Sequence, residues 1–124
     1  MRVLIADEQK HARSGLAALL RATVAGVEIR EAADGREAER LAEEFRPDLV
    51  LLDIRMPRED GLAVLRGLRA RHPHVRLIAL SLEPSHEGDA LAAGADAFAC
   101  KCESPERLLE QLARLGFTAP PASQ

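Results

Sequence analysis

Side chains that could do chemistry directly follow four of the five short apolar runs in this sequence. The first run is followed by Asp7 and Glu8, the third ends in Asp53, the fourth leads into Ser81 and the fifth into Lys101. Three carboxylates in one pocket repel one another, and a hard divalent cation with oxygen ligands is the usual compensation. Mg²⁺ is the cation that we expect.

These groups together suit phosphoryl transfer. A carboxylate can accept a phosphoryl group as a nucleophile. The transfer needs mainly in-line positioning and neutralisation of the phosphoryl oxygens, which a metal ion, an ammonium group and a hydroxyl group could share. Lys101 is also one of only two lysines among seventeen basic residues, the other being Lys10.

The elements that would position these residues follow from the apolar pattern. Short runs rich in leucine or β-branched residues alternate with longer segments of helical period, which favours a parallel sheet covered by helices on both faces. The class that we predict is α/β, with a doubly wound five-stranded parallel sheet. Ligands of such sheets bind beyond the carboxyl ends of the strands. The predicted strands are Val3–Ala6, Val27–Glu31, Leu49–Asp53, Leu77–Leu80 and Ala97–Cys100.

Five helices are predicted between and after these strands. The last begins at Ser104, Pro105 and Glu106, which supply a capping hydroxyl, a proline at the first position and an acid in the first turn. The fourth, between residues 85 and 93, is short because Gly88 interrupts it and it has few apolar residues. The inward-facing stripes of the other four are Ala12/Leu16/Leu19/Leu20, Ala38/Leu41/Ala42/Phe45, Leu62/Leu65/Leu68 and Leu108/Leu109/Leu112.

Composition limits the class of protein. The 124 residues have a net charge of −3, which fits one domain and does not favour nucleic-acid binding by this chain alone. No apolar run approaches the roughly 20 residues that span a bilayer, and the N-terminus does not resemble a signal peptide. We expect a cytoplasmic protein with no membrane partner, a domain over residues 1–116, and a disordered tail or linker over residues 117–124.

Four motifs in order resemble the receiver domain of response regulators in two-component signalling. The resemblance covers about residues 2–115 and is greatest to receivers that precede a helix-turn-helix output domain. It implies a flavodoxin-like fold with strand order 2-1-3-4-5, which places strands 1 and 3 side by side. The motifs are Val3-Leu4-Ile5-Ala6-Asp7-Glu8, Pro47-Asp48-Leu49-Val50-Leu51-Leu52-Asp53-Ile54-Arg55-Met56-Pro57 followed by Asp60-Gly61, Ala79-Leu80-Ser81, and Gly94-Ala95-Asp96-Ala97-Phe98-Ala99-Cys100-Lys101.

The resemblance also assigns roles. It implies that Asp53 accepts the phosphoryl group and that Ser81 and Lys101 bind its oxygens. The implied Mg²⁺ ligands are Asp7, Glu8, Asp53 and the carbonyl of Arg55. Phe98 occupies the position of the switch aromatic, whose ring turns inward when the hydroxyl residue moves toward the phosphoryl group.

The implied partners follow from the same resemblance. A sensor histidine kinase or a small phosphodonor would load the domain, and a homodimer is an assembly that the family allows. DNA contact would occur only through an output domain absent from this chain. The expected role is regulatory rather than that of a metabolic enzyme.

Two departures from the family pattern keep an alternative open. Glu8 stands where aspartate is most common, and Mg²⁺ tolerates little distortion of its octahedral ligands. Ser81 and Lys101 are 20 positions apart, a short spacing for the family that we attribute to the fourth helix. The alternative is a receiver-like interaction domain with impaired or no regulated phosphorylation.

Two further patterns lead to separate hypotheses. Arg55 and Glu83 have opposite charges and lie two residues after Asp53 and Ser81, so a pair between them could shield the phosphoryl group from water. Cys100 and Cys102 lack the further ligands of a structural zinc site, and we interpret Cys100 as an inert core residue.

Overall fold

The computed structural model describes residues 1–56, 59–101 and 103–118. Strands and helices alternate along the whole described chain. The strands are β1 (Arg2–Ala6), β2 (Glu28–Ala32), β3 (Leu49–Asp53), β4 (Arg76–Ser81) and β5 (Ala97–Cys100). The helices are α1 (Lys10–Thr23), α2 (Gly35–Phe45), α3 (Gly61–Arg71), α4 (Glu87–Ala92) and α5 (Pro105–Arg114), and a 3₁₀ turn at Pro84–His86 precedes α4.

The five strands form one parallel sheet in the order β2-β1-β3-β4-β5. This confirms the predicted α/β class and strand order. All five residues of the central strand β3 are buried. A strand covered on both faces has to be apolar throughout, which explains the run Leu49-Val50-Leu51-Leu52.

Two apolar cores lie on opposite faces of the sheet. One contains residues of α2, α3 and α4, with Leu52, Leu65 and Leu77 at its centre. The other contains residues of α1 and α5, with Ile5, Leu20 and Leu112. The alternating side chains of the strands supply both cores, because successive residues of a strand point to opposite faces.

The predicted element boundaries differ from the structure in a few places. β2 begins at Glu28 rather than Val27, and β4 extends from Arg76 to Ser81. The short fourth helix is confirmed, since α4 has six residues. Ser104 precedes α5 but makes no side-chain cap hydrogen bond. It interacts instead with Glu106, and this hydrogen bond is the main cause that lowers the pKa of the Glu106 carboxyl.

The structure also bears on the chain's end and on Cys100. Phe117 donates its N–H to the carbonyl of Leu112 and packs beside the α1–α5 core, while residues 119–124 of the predicted tail lie outside the described ranges. Cys100 is buried, as predicted for a core residue, and it is disulfide-bonded. Cys102 lies outside the described residues. None of the helices within the described ranges has the length and apolar character that a bilayer crossing requires.

Candidate functional site

The two buried carboxylates lie at the carboxyl ends of neighbouring strands. Asp7 directly follows β1, and Asp53 is the last residue of β3. The pairing of Ala6 with Leu52 brings these two strand ends side by side. The Asp7 N–H donates to the Ala32 carbonyl, so the backbone stays in register with β2 one residue beyond the strand.

Lys101 joins the two carboxylates. Its Nζ lies 2.6 Å from Oδ2 of Asp7 and 2.9 Å from Oδ2 of Asp53. The side chains of Asp7, Asp53 and Lys101 are 1%, 10% and 19% exposed, respectively. One ammonium group thus contacts two carboxylates in a mostly buried pocket, where ion pairs are little screened by salt.

Backbone N–H groups orient the other oxygen of each carboxylate. Asp7 Oδ1 accepts from the Gln9 N–H at 2.9 Å, and Asp53 Oδ1 accepts from the Arg55 N–H at 2.8 Å. Each bond spans two residues, which is the local turn that aspartate favours after a strand. Both aspartates therefore form local turns and also converge on Lys101.

The charge balance of the pocket is negative. Burial alone would lower the pKa of Lys101, but its hydrogen bonds to Asp7 and Asp53 and the charges of these carboxylates outweigh burial and raise the pKa. Lys101 is therefore a cation at neutral pH. Two carboxylates share this one positive charge, which leaves an excess of negative charge at the sheet edge.

The remaining predicted metal ligands lie at the rim. Glu8 is exposed and borders a cleft of about 270 Å³ with Asp34, Met56 and Glu59. In the described part of the chain, no three His, Cys, Asp or Glu side chains are grouped closely enough to hold a metal ion. The donor chemistry nevertheless fits a hard divalent cation, because the pocket presents carboxylate oxygens and already holds one cationic nitrogen between two of them.

Ser81 lies at the same edge but has different partners. Its backbone carbonyl accepts from the Lys101 N–H at 2.7 Å, which fixes these two residues side by side at the ends of β4 and β5. Its Oγ accepts from the Glu83 N–H at 3.0 Å and lies 2.8 Å from Nδ1 of His86. The structure therefore brings Ser81 to the site edge with its hydroxyl engaged to the turn before α4.

The predicted switch aromatic is already inside the protein. Phe98 lies on β5, is buried, and packs in the core beneath α3 and α4 together with Ala90 and Ala95. Its burial among these residues is that of a core side chain. The Phe98 ring is therefore turned inward although the Ser81 hydroxyl is still hydrogen-bonded to His86.

The predicted pair of Arg55 and Glu83 is formed. Arg55 Nη1 lies 3.2 Å from Oε1 of Glu83, and both side chains are 52% exposed. The pair joins the loop after β3 to the loop after β4, which flank Asp53 and Ser81. Met56, one residue after Arg55, is buried in the core.

Two residues near the site were not assigned a role from the sequence. Arg13 on α1 donates from Nη1 to the carbonyls of Asp7 and Glu8 at 2.7 and 3.2 Å, and its Nε pairs with Glu31. His86, in the 3₁₀ turn before α4, contacts the Ser81 hydroxyl. Arg13 lies about one helical turn after the acidic pair. This spacing is a sequence signal that could have indicated its hydrogen bonds to the Asp7 and Glu8 carbonyls.

Comparison with known proteins gives the class. A family model, the response regulator receiver domain, matches residues 3–113. The chain belongs to this family, whose members are the regulatory receiver domains of two-component signalling. The predicted resemblance is therefore confirmed.

Individual relatives agree with this class. The chain is 38% identical over 113 residues to the uncharacterized transcriptional regulatory protein YhcZ of Bacillus subtilis, covering 89% of this chain and 52% of YhcZ. A LuxR-family two-component response regulator from Aurantimonas is similar in structure, with a TM-score of 0.84, 26% identity, and coverage of 92% of this chain and 83% of that one. The chemotaxis protein CheY4 of Vibrio cholerae superposes with a TM-score of 0.80 at 31% identity, covering 91% and 96%.

Proposed function

We propose that the chain is a phosphorylation-dependent switch in which Asp53 accepts a phosphoryl group from a histidine kinase or a small phosphodonor. Family membership, the edge position of Asp53 and its contact with Lys101 support this proposal. The observation that carries it is the convergence of the Asp7 and Asp53 carboxylates on the Lys101 ammonium group at the carboxyl edge of the sheet.

The proposed reaction is a simple displacement. A carboxylate oxygen of Asp53 attacks phosphorus, and the bond from phosphorus to the donor breaks. With acetyl phosphate the electron pair leaves on acetate, and with a phosphohistidine it leaves on the imidazole nitrogen. Lys101 and Ser81 bind phosphoryl oxygens, and no enzymatic turnover of a metabolite is involved.

Mg²⁺ is the cofactor that the donor set favours. Asp7, Glu8, Asp53 and the Arg55 carbonyl would hold it, and the bound ion would neutralise charge on the phosphoryl oxygens. Glu8 has to turn inward to take part. The hydrogen bond from the Arg55 N–H to Asp53 Oδ1 supports a role for the Arg55 carbonyl, because it keeps this segment next to Asp53.

A direct experiment is incubation with Mg²⁺ and acetyl phosphate followed by intact mass spectrometry. We expect addition of one phosphoryl group to the wild type, none without Mg²⁺, and none in Asp53→Asn, which keeps the size of the side chain. Addition that survives in Asp53→Asn, or no addition to the wild type, would contradict the proposal.

A second candidate is a receiver-like interaction domain without regulated phosphorylation. The exposed position of Glu8 and the six-residue α4 favour it. The same mass experiment separates the two candidates. A Glu8→Asp variant that gains phosphorylation when the wild type has none would assign the loss to Glu8.

The role in a longer protein is a further part of the proposal. The chain spans about half the length of the curated relatives that it matches, among them transcriptional regulatory proteins. We propose that DNA contact, where it occurs, belongs to an output domain outside this chain, and that phosphorylation favours a homodimer. Sedimentation velocity with and without acetyl phosphate would test the dimer.

A further inference from the structure

His86 is a half-buried residue at the end of the 3₁₀ turn before α4. Its Nδ1 lies 2.8 Å from the Ser81 Oγ. The contact connects the hydroxyl residue of the proposed phosphoryl site to the first turn of the element that follows β4. The residue type of His86 does not by itself predict a role in phosphoryl transfer.

The direction of this hydrogen bond follows from the partners of Ser81. A serine hydroxyl has one proton to donate and two lone pairs with which to accept. The Glu83 N–H can only donate, so it occupies one lone pair of Oγ. Ser81 is fully buried, so its own proton needs an acceptor within the protein. Among the hydrogen bonds of the described residues, His86 Nδ1 is the acceptor within reach, and it can accept this proton only when Nδ1 itself carries none.

His86 Nδ1 and a bound phosphoryl oxygen would compete for the proton of the Ser81 hydroxyl. In the proposed switch, Ser81 moves to bind a phosphoryl oxygen, and an oxygen anion needs the hydroxyl proton that His86 Nδ1 now accepts. The bond to His86 must therefore break before the phosphoryl group gains the hydroxyl. The ring has room to move, because His86 borders a cleft of about 400 Å³ shared with Arg55, Met56 and Asp89.

We propose that His86 is a positioning residue that holds the Ser81 hydroxyl in the resting arrangement and thereby opposes its movement toward a phosphoryl group on Asp53. The inference rests on the proposed function and adds a regulatory contact to the same site. It also gives a route from the site to α4, because His86 immediately precedes Glu87, the first residue of that helix. When Ser81 leaves, the turn loses the side-chain bond that ties it to β4.

The test compares variants by their affinity for beryllofluoride, an unreactive phosphoryl analogue, at saturating Mg²⁺. His86→Phe keeps a ring but has no acceptor, and we expect it to bind the analogue about two- to tenfold more tightly, the range of one net hydrogen bond. His86→Asn offers an amide oxygen near the position of Nδ1 and should restore the wild-type affinity. His74→Phe, on an exposed loop histidine outside the site, is the matched control and should not differ from the wild type.

A double-mutant cycle with Ser81→Ala distinguishes restraint from general structural change. The effect of His86→Phe should disappear in the Ser81→Ala background, since no hydroxyl remains to be held. An equal effect in both backgrounds, or no effect in either, would overturn the inference.

A measurement on the resting protein keeps the inference separate from the proposed function. Ring nitrogen chemical shifts of His86, in ¹⁵N-labelled protein without the analogue, should show an unprotonated, hydrogen-bonded Nδ1 in the wild type, and the shift caused by this hydrogen bond should disappear in Ser81→Ala. A protonated Nδ1 would overturn the inference whether or not the chain binds beryllofluoride. Failure of the wild type to bind the analogue would overturn the proposed function, whereas binding that is indifferent to residue 86 would overturn only the restraint.

Discussion

Lys101 controls the charge of the site, because its ammonium group is the cation that contacts both Asp7 and Asp53. Its pKa is raised above the ordinary value of 10.5 in the folded protein. The stabilisation from this ion pair is therefore complete below pH 10.5 and is lost as the pH rises through the higher pKa of the folded state.

We predict that alkaline pH destabilises the wild type more than Lys101→Met. Urea unfolding from about pH 8 to about pH 12, in the presence of a chelator, measures this difference. The chain has no tyrosine, so few other groups titrate in this range. Lys10→Met, on an exposed lysine, is the control and should follow the wild type. A parallel decline of the wild type and Lys101→Met would contradict the prediction.

The Arg55–Glu83 pair leads to a prediction about phosphoprotein lifetime. Exposed ion pairs contribute about 1 kcal/mol or less, so loss of the pair should shorten the lifetime by about fivefold at most. We expect Arg55→Ala, Glu83→Ala and the double variant to be equally short-lived, because each removes the same pair. The lifetime is measured by phosphate release from purified phosphoprotein, and unchanged lifetimes in both single variants would refute the shielding hypothesis.

The central part of the site could be predicted from residue types. The carboxyl ends of parallel strands meet at one edge of a sheet. Four of the predicted site residues end or follow buried strands and are therefore expected at that edge: Asp7, Asp53, Ser81 and Lys101. The partner of Ser81 could not be predicted in this way. It depends on a 3₁₀ turn that places the ring of His86 against Oγ, and turn geometry is not encoded in the apolar pattern. The exposed orientation of Glu8 likewise depends on local rotamers rather than on periodicity.

At the scale of elements, α3 is held against the loop after β3 by its first residues. Asp60 accepts hydrogen bonds from the Leu62 and Ala63 N–H groups and caps the helix. A Cβ atom added to Gly61 would overlap the backbone of Ile54, the residue after Asp53. Gly61 therefore allows the helix to approach the backbone next to Asp53 closely, which a residue with a Cβ atom could not do without a shift of that backbone.

We predict opposite effects for alanine at two helical glycines. Gly61→Ala should lower the free energy of unfolding by about 1–3 kcal/mol, since the backbone next to Asp53 has to move. It should also slow phosphorylation by acetyl phosphate. Gly15→Ala, inside α1 with open space around it, should raise the free energy of unfolding by about 0.5–1 kcal/mol. Urea unfolding measures both changes. Equal stabilisation by the two substitutions would show that the close approach of α3 to Ile54 does not limit the free energy of unfolding.

Elements with a clear apolar period were predicted more accurately than those without one. The inward stripes of α2 and α5 include Ala38, Phe45, Leu108 and Leu112, which are all buried. α4 has a single buried residue, Ala90, so its bounds could be placed only within a range. The extension of β4 to Arg76 depends on pairing with Leu49 in the neighbouring strand, which a single segment does not reveal.

At the scale of the whole molecule, one sheet separates two cores and is shared by both. Leu65 belongs to the core beneath α3, and Leu112 belongs to the core beneath α5; both are fully buried. Strands β1 and β3 supply side chains to each core, so loss of packing on one face should be transmitted to the other through the sheet.

We predict that Leu65→Ala and Leu112→Ala each lower the free energy of unfolding by about 2–5 kcal/mol in a single transition. Circular dichroism and fluorescence of an extrinsic probe on either face should report coincident unfolding. Leu91→Ala, which changes an exposed leucine of α4, should alter the stability by less than about 0.5 kcal/mol. Separate transitions for the two faces would show that the cores unfold independently.

The hydrogen bond from the Lys101 N–H to the Ser81 carbonyl has a consequence for how this sequence can diverge. It sets the distance between two site residues through the pairing of β4 with β5, independently of the length of the intervening chain. Insertions and deletions between residues 82 and 93 therefore change the surface around α4 without displacing Lys101 relative to Ser81. Sequence change can therefore remodel that surface while the geometry that joins Ser81 to Lys101 stays constant.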